Sequence, residues 1–247
     1  MYSSIKKALK TCIPKTFLFK NELFFRKIHS LFYLGNKHQC NICSQKLSRF
    51  INLNHSDLIC PSCGSLSRNR RLWHLLSLQD KTGNWLHFSP SRSLYRTLKK
   101  DSNINYHSTD FENEFLANYK FDITNIDQPD DQFDVIICYH ILEHIEKDRL
   151  AMKELYRVLK PNGTIYIQTP FKDGDIYEDD NITTPEARAE HFGQNDHVRI
   201  YSVKGLKSRL ERVGFSIEIK TFERSNNDFY NGFISPETIL IATKLKS

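Results

Sequence analysis

Residues Phe133 to Ile145, FDVIICYHILEHI, decide the reading of this chain. Phe133 to Tyr139 is apolar almost throughout, the pattern of a strand covered on both faces of its sheet. After His140 to Ile145 comes DRLAMKELYRVLKPNG, where Leu150, Met152, Leu155, Val158 and Leu159 mark the apolar side of a helix that Pro161-Asn162-Gly163 stops. Thr164 to Thr169 reads as the next strand. Strand, helix, strand in so short a span predicts a parallel sheet with helical crossovers.

The same alternation continues outward in both directions. Upstream, Trp85 to Phe88 is a short strand ending at Ser89-Pro90, followed by a helix with Leu94 and Leu98 one turn apart. Ile104 to Tyr106 predicts a second strand ending near Thr109-Asp110, and Tyr119-Lys120-Phe121 leads into Asp122-Ile123. Downstream, Ser202 to Arg212 is helical, with Val203, Leu206, Leu210 and Val213 as its stripe and Gly214 as its stop. Ile217 to Phe222 and Thr238 to Ala242 are the last two strands, and SNNDFYNGFISPE between them reads as a polar loop.

Parallel sheets bind ligands at the carboxyl ends of their strands, beside the switch in strand order. Those ends carry His87, Ser89, Asp110, Asp122, His140, Glu143, His144, Gln168 and Thr169. An acid at the end of the second strand, about 20 residues past the first strand turn, suits a ribose diol. Asp110 is best placed for it, with Glu112 as the alternative. The first strand turn holds no glycine, so the GxGxxG fingerprint of NAD and FAD sites is missing. His140, Glu143 and His144 also spell HxxEH, an inverted zinc-hydrolase pattern, set here against helix capping and against loop orientation at a strand end.

Between the fifth strand and the next helix lies a long insertion rich in Asp, Glu and His. Loops of that length commonly cover or bind something. His191, Gln194, Asp196, His197 and Arg199 form its polar cluster. A titratable imidazole suits a general base, and His197 is the candidate, with Asp196 orienting it and His144 facing the substrate. His191 and Arg199 are candidate substrate contacts, Arg199 for an anionic group. The competing reading is that FGQNDHVR pins the loop to the body through hydrogen bonds.

The chain of 247 residues, 39% hydrophobic, suffices for one α/β core and a small appendage. Its +6 charge sits at the front: residues 1–40 hold eight Lys/Arg and one acid, against 27 and 28 in the remainder. That front, with Phe17, Phe19, Phe24, Phe25 and Phe32 among its lysines, suits an anionic membrane surface or a phosphate backbone, or packs on the body as a partly helical arm. No run approaches membrane-spanning length and no export signal is recognisable, so a cytoplasmic protein is expected.

Of six cysteines, Cys40, Cys43, Cys60 and Cys63 form two CxxC pairs, the spacing of a tetrahedral zinc site. Four thiolates leave no open position, so the role is structural or recognitional; a nucleic-acid ribbon and a disulfide pair are the competing readings. Gly64 after the last cysteine suits a turn with positive φ. Arg68, Arg70 and Arg71 open the next helix, where the dipole disfavours positive charge. Either Arg68 and Arg71 hold an anionic substrate or cofactor group, or the arginines pair with acids of the body.

In WLHFSP, YKFDITNI, FDVIICYHILEHI, LYRVLKPNGTIYIQTPF and FGQNDHVRIYS, in this order, the chain resembles class I S-adenosylmethionine-dependent methyltransferases, most closely a bacterial group with an N-terminal four-cysteine zinc knuckle. The resemblance covers about residues 40 to 245. It implies a Rossmann-like, seven-stranded, mostly parallel sheet binding S-adenosylmethionine. It further implies that His87, Phe88, Ser89 and Pro90 wrap the methionine part, Asp110 holds the ribose, Asp122 and Ile123 receive the adenine and His140 closes over the cofactor. The usual loop after the first strand is glycine-rich, and Phe88-Ser89-Pro90-Ser91 departs from it. The expected organisation is a basic aromatic arm (1–39), a zinc knuckle (40–67) and a methyltransferase domain (68–247). The expected acceptor is a small molecule; nucleic acid methylation and a noncatalytic zinc-bearing binding module are the alternatives. Membrane contact, if any, falls to the arm, and nothing in the sequence fixes the oligomeric state.

Overall fold

The computed structural model describes residues 21–53, 57–79 and 81–246. Cys12, the arm's lysines from Lys6 to Lys20, Phe17 and Phe19 lie outside the described residues. The elements run α1 (Glu22–Ser30), β1 (Leu34–Gln39), β2 (Lys46–Leu47), β3 (Ile51–Leu53), β4 (Asp57–Ile59), α2 (Ser67–Leu76), β5 (Gly83–Phe88), α3 (Arg92–Leu98), β6 (Ile104–Thr109) and β7 (Phe133–Tyr139). They continue with α4 (Asp148–Val158), β8 (Leu159–Gln168), β9 (Tyr177–Glu178), α5 (Pro185–Phe192), β10 (Arg199–Ile200), α6 (Val203–Val213), β11 (Phe215–Phe222), α7 (Asn226–Asn231) and β12 (Glu237–Lys244). No helix among the described residues is long and apolar enough to cross a membrane.

The chain forms two compact units, one of the residues up to Leu78 with Arg224–Ile234 and one of Gln79–Glu223 with Ser235–Ser247. In the first, β1 pairs with β2 and β3 with β4, both antiparallel, so the end of the basic arm contributes a strand. Its small core is Cys40, Leu47, Phe50, Cys60 and Cys63. The expected polar loop between the last two strands contains α7, which belongs to this unit through Asp228 against Arg71 and the carbonyls of Asn231 and Gly232 against Arg70.

The second unit is built on a six-stranded sheet ordered β11-β12-β8-β7-β5-β6, in which only β12 runs against the rest. Register aligns Leu86, Ile136 and Ile165 across β5, β7 and β8, and all three are fully buried. Ala151, Met152, Leu155 and Val158 of α4 close one face, whereas Leu150, placed on that side by spacing, is exposed. Strand order reverses between β5 and β7, which opens the crevice at their carboxyl ends.

Among the described residues this sheet has six strands where seven were expected. At Tyr119 to Phe121 only one parallel bridge forms, between Thr109 and Tyr119. A side chain explains the loss: Thr109 Oγ1 takes the Phe121 amide at 2.7 Å, so the ladder cannot extend. β8 also begins earlier than predicted. Leu159 pairs with Phe133, residues 160–163 bulge out, and Thr164 resumes pairing opposite Val135. A Cβ on Gly163 would stand 2.8 Å from the Lys160 carbonyl, so this bulge requires glycine.

Candidate active site

At the carboxyl end of β5, Ser89 adopts φ 43°, a left-handed backbone normally reserved for glycine. The glycine-free loop therefore makes its turn with a serine. The Ser89 hydroxyl donates to Asp110 Oδ1 at 2.7 Å, and its amide donates to the Thr109 carbonyl at 2.7 Å. Asp110, 4% exposed at the end of β6, also accepts the Glu114 and Phe115 amides on Oδ2 at 2.6 and 3.0 Å. Its carboxylate thus fixes both strand-end loops, and Oδ1 keeps a lone pair to spare. Asp122 Oδ1 accepts the amide and hydroxyl of Thr124, each at 2.8 Å, and Ile123 beside it is buried.

His87 and Phe88 are core residues. Phe88 lies in the main apolar cluster, and His87 Nδ1 is 3.0 Å from the Tyr106 hydroxyl. Complete burial holds the His87 pKa down at about 3, so the ring is neutral. Pro90 is buried behind the turn.

The end of β7 repeats the backbone feature of β5. His140 has φ 54°, with its amide donating to the Gln168 carbonyl at 2.8 Å. A short 3-10 turn, Leu142–His144, then presents Glu143 and His144 together. Glu143 is 1% exposed, and its Oε1 lies 3.2 Å from His140 Nδ1. The Glu143 carboxylate oxygens, His140 Nε2 and Gln168 Oε1 are buried without a hydrogen-bond partner among the described residues. Unmet polar demand of this kind at one edge of a sheet marks where a ligand would sit.

The insertion brings His197 to the same edge. Its backbone is tied there by the Val198 amide donating to the Glu143 carbonyl at 2.9 Å, and its ring packs edge-on to His144 with centroids 4.7 Å apart. Burial, and after it the charge of His144, holds the His197 pKa below its ordinary value. Asp196, expected to orient His197, instead places Oδ2 3.2 Å from His144 Nδ1, while His197 Nδ1 faces the Phe192 carbonyl at 3.3 Å. Adjacent residues point apart on an irregular segment, which is why Asp196 serves the other ring.

Two arginines expected to meet substrate are consumed internally. Arg199, 6% exposed, donates to the Leu142 and Ile145 carbonyls, to the Glu146 carbonyl at 2.9 Å and to Glu178 Oε2 at 2.9 Å. Four of its five N–H donors are engaged, so it clasps the turn carrying Glu143 and His144. In the first unit Arg71 is buried against Asp228 at 3.1 Å and lies over the Phe233 ring. Arg68 remains partly exposed, 3.6 Å from Asp57. His191 is exposed, with Nδ1 2.6 Å from the Tyr177 hydroxyl.

The four cysteines converge within the first unit. All four sulfurs lie within 4.8 Å of one another, with Cys40 to Cys63 at 3.7 Å and Cys43 to Cys60 at 3.8 Å, too far apart for disulfides. The two knuckles are copies: the Ser44 amide donates to the Cys40 carbonyl as the Gly64 amide does to Cys60, and both residues have positive φ, 59° and 79°. Arg70, completely buried, lies over the Phe50 ring and donates to the Ser65 and Leu58 carbonyls. Its misplaced charge at the start of α2 is thus spent on carbonyls, including the last ones of α7.

Glu143 is the residue the sequence undervalued. Its HxxEH spacing puts it at the strand end, but its closeness to His197, more than fifty residues downstream, leaves no local signal.

Comparison with known proteins agrees with this architecture. A family model described as a methyltransferase domain matches residues 82–219, more than half of the chain. A sterol 24-C-methyltransferase of Eremothecium gossypii is 32% identical over 112 residues, 44% of this chain and 29% of that enzyme, so the chain spans less than a third of its length. Among solved structures, an S-adenosylmethionine-dependent methyltransferase from Archaeoglobus fulgidus superposes with a TM-score of 0.51 at 18% identity, covering 70% of this chain and 91% of that one. Phosphoethanolamine N-methyltransferase 2 of Haemonchus contortus, in complex with S-adenosyl-L-methionine, gives 0.50 at 16% identity, covering 72% and 53%. These two likenesses are of fold, and with the sheet order and the family match over residues 82–219 they establish that the chain belongs to the methyltransferase-domain family.

Proposed function

We propose that this chain transfers a methyl group from S-adenosylmethionine to a small-molecule acceptor. The observation that carries the reading is the edge at the β5/β7 switch point. There Ser89 and His140 hold left-handed backbones, Asp110 keeps an accepting lone pair, and His140 Nε2 and Gln168 Oε1 lack partners among the described residues, in a chain that matches the methyltransferase-domain model. The matched sterol enzyme of E. gossypii, whose name specifies a small-molecule acceptor, supports that substrate class.

When bound, the cofactor supplies an electrophilic methyl group. The Ser89-Pro90 turn lies beside its methionine part, Asp110 receives the ribose hydroxyls, and Asp122 Oδ2 with Ile123 takes the adenine. His140 closes the crevice. The acceptor enters from the side of His144 and His197, where alignment with the sulfonium supplies most of the rate. Asp196 acts through His144 as a positioning residue.

The cysteine cluster is read as a structural zinc site. A Zn–S length of about 2.3 Å in a tetrahedron puts sulfurs about 3.8 Å apart, and the pairs at 3.7 and 3.8 Å meet that spacing. All four positions are filled by thiolates, so the role is to hold the first unit together.

Calorimetric titration of the zinc-replete protein with S-adenosylmethionine and S-adenosylhomocysteine tests the reading, with Asp110→Ala alongside. Micromolar binding that weakens at least tenfold in the variant is expected. A folded protein that binds neither compound would refute the proposal.

A further inference from the structure

Glu143, His144 and His197 each place a ligand atom within 4.8 Å of the others. Such a cluster would mean little at a surface, but Glu143 and His197 are 1% and 3% exposed. Among the described residues neither Glu143 oxygen has a hydrogen-bond donor, and His140 Nδ1 stands 3.2 Å from Oε1. Arg199, which clasps this turn, spends four of its five donors on the Leu142, Ile145 and Glu146 carbonyls and on Glu178. A buried carboxylate without donors is costly unless a positive charge is supplied from elsewhere.

The histidines are arranged to supply ligands to that charge. His144 Nδ1 faces the Asp196 carboxylate at 3.2 Å, and His197 Nδ1 faces the Phe192 carbonyl at 3.3 Å. With Nδ1–H directed at an acceptor in each ring, the lone pair sits on Nε2, the arrangement by which outer partners orient metal-binding imidazoles. The two elements are locked together by the Val198 amide on the Glu143 carbonyl.

We propose that Glu143, His144 and His197 bind a divalent transition-metal ion whose open positions take a hydroxyl oxygen of the methyl acceptor. Two imidazoles and one carboxylate favour zinc, manganese, iron or cobalt over magnesium or calcium. Three protein ligands leave positions free, in contrast to the four-cysteine cluster. The acceptor part rests on the methyl-transfer reading above. An amine nitrogen bound to a metal has spent its only lone pair, whereas a hydroxyl oxygen keeps one and is acidified by the ion. In the transfer the acceptor's O–H bond breaks and its proton leaves to solvent. The oxygen pair forms the new O–CH3 bond as the S–CH3 bond breaks, and the sulfonium keeps that pair as a neutral thioether. His197 is then a ligand and not the base.

Manganese is the probe, because it prefers nitrogen and oxygen donors over a thiolate cluster. Zinc-replete protein is loaded with Mn2+ and desalted, bound metals are counted by elemental analysis, and free Mn2+ is followed by electron paramagnetic resonance. Two ions per chain are expected, one of them zinc in the cysteines, with water-proton relaxation enhanced by the manganese that keeps exchangeable positions. Glu143→Gln and His197→Ala should lose the second ion and retain the first. Asp196→Ala, at an exposed position that leaves the fold intact, should weaken Mn2+ binding by about 10- to 100-fold, and it decides the matter should either buried variant fail to fold. One ion per chain in folded protein, or Mn2+ affinity unchanged in Asp196→Ala, overturns the proposal. S-adenosylmethionine calorimetry on the same samples separates the two readings. Cofactor binding with no second ion removes the metal site and spares methyl transfer; a second ion with no cofactor binding removes the acceptor role and spares the site.

Discussion

Ser89 has a φ of 43°, so a serine makes the left-handed turn of a loop that contains no glycine. A left-handed backbone costs a residue with a Cβ about 1–2 kcal/mol, and the hydroxyl bond to Asp110 is what this serine gives in return. Ser89→Ala and Ser89→Gly both lose that bond, so the difference between them isolates the backbone. The glycine variant is expected to be the more stable by about 1 kcal/mol, the reverse of the order at ordinary positions. Urea unfolding of the two proteins measures it, and an alanine variant equal to or above glycine would show that the turn is not strained. Asp110 illustrates the complementary lesson. Its position was readable from the spacing after the first strand, whereas its three internal bonds, to Ser89, Glu114 and Phe115, depend on how the following loop folds back.

At the scale of elements, the insertion after β8 is held by charge. β9 and β10 pair through Glu178 opposite Arg199, and Arg209 of α6 joins Glu178 to Asp148 at the start of α4. Tyr201 adds its hydroxyl to Asp148 at 2.5 Å. Removing one member strands the others, so Arg199→Ala should cost about 3 kcal/mol or more and loosen the turn that presents Glu143 and His144. Burial pushes the Glu178 carboxyl up, but the hydrogen bonds from Arg209 and Arg199 outweigh it and hold the group below its ordinary value of 4.5. A depressed carboxyl stabilises the fold above its unfolded pKa and loses that contribution as pH falls through the folded one. Thermal melts from pH 7 to 3 should therefore show an acid limb below about pH 4.5 that is shallower in Arg199→Ala; identical limbs would mean Arg199 does not hold Glu178. That FGQNDHVR pins its loop to the body was one of the two readings the sequence allowed, but the partners were not legible, because the carbonyls of Leu142, Ile145 and Glu146 lie more than fifty residues from Arg199. β7, α4 and the two CxxC turns were legible because period and spacing alone specify them. The missing third strand was not, since it turns on one Thr109 hydroxyl intercepting the Phe121 amide.

At the scale of the whole molecule the two units differ in what can hold them. The second has a continuous apolar core running from Leu86 through Ile136 and Leu155 to Leu240. In the first, three of the five buried core residues are cysteines, with Leu47 and Phe50 as the others. A core that small does not fold unaided, and metal binding energy becomes folding energy. α7 depends on the same unit, through Arg71 on Asp228, Arg70 on the Asn231 carbonyl and His38 Nδ1 2.6 Å from the Phe229 carbonyl. Yet the strands that flank it, β11 and β12, pair residue for residue from Phe215 opposite Lys244 to Phe222 opposite Glu237. Chelation of the metal should therefore melt residues 34–53, 57–76 and 226–231 together while β11, β12 and β5 to β8 keep their ladder. Hydrogen exchange read by mass spectrometry before and after chelation distinguishes the outcomes. Protection lost in both units at once would make them one cooperative body, and protection lost in neither would show that the four cysteines do not need a metal to keep their fold.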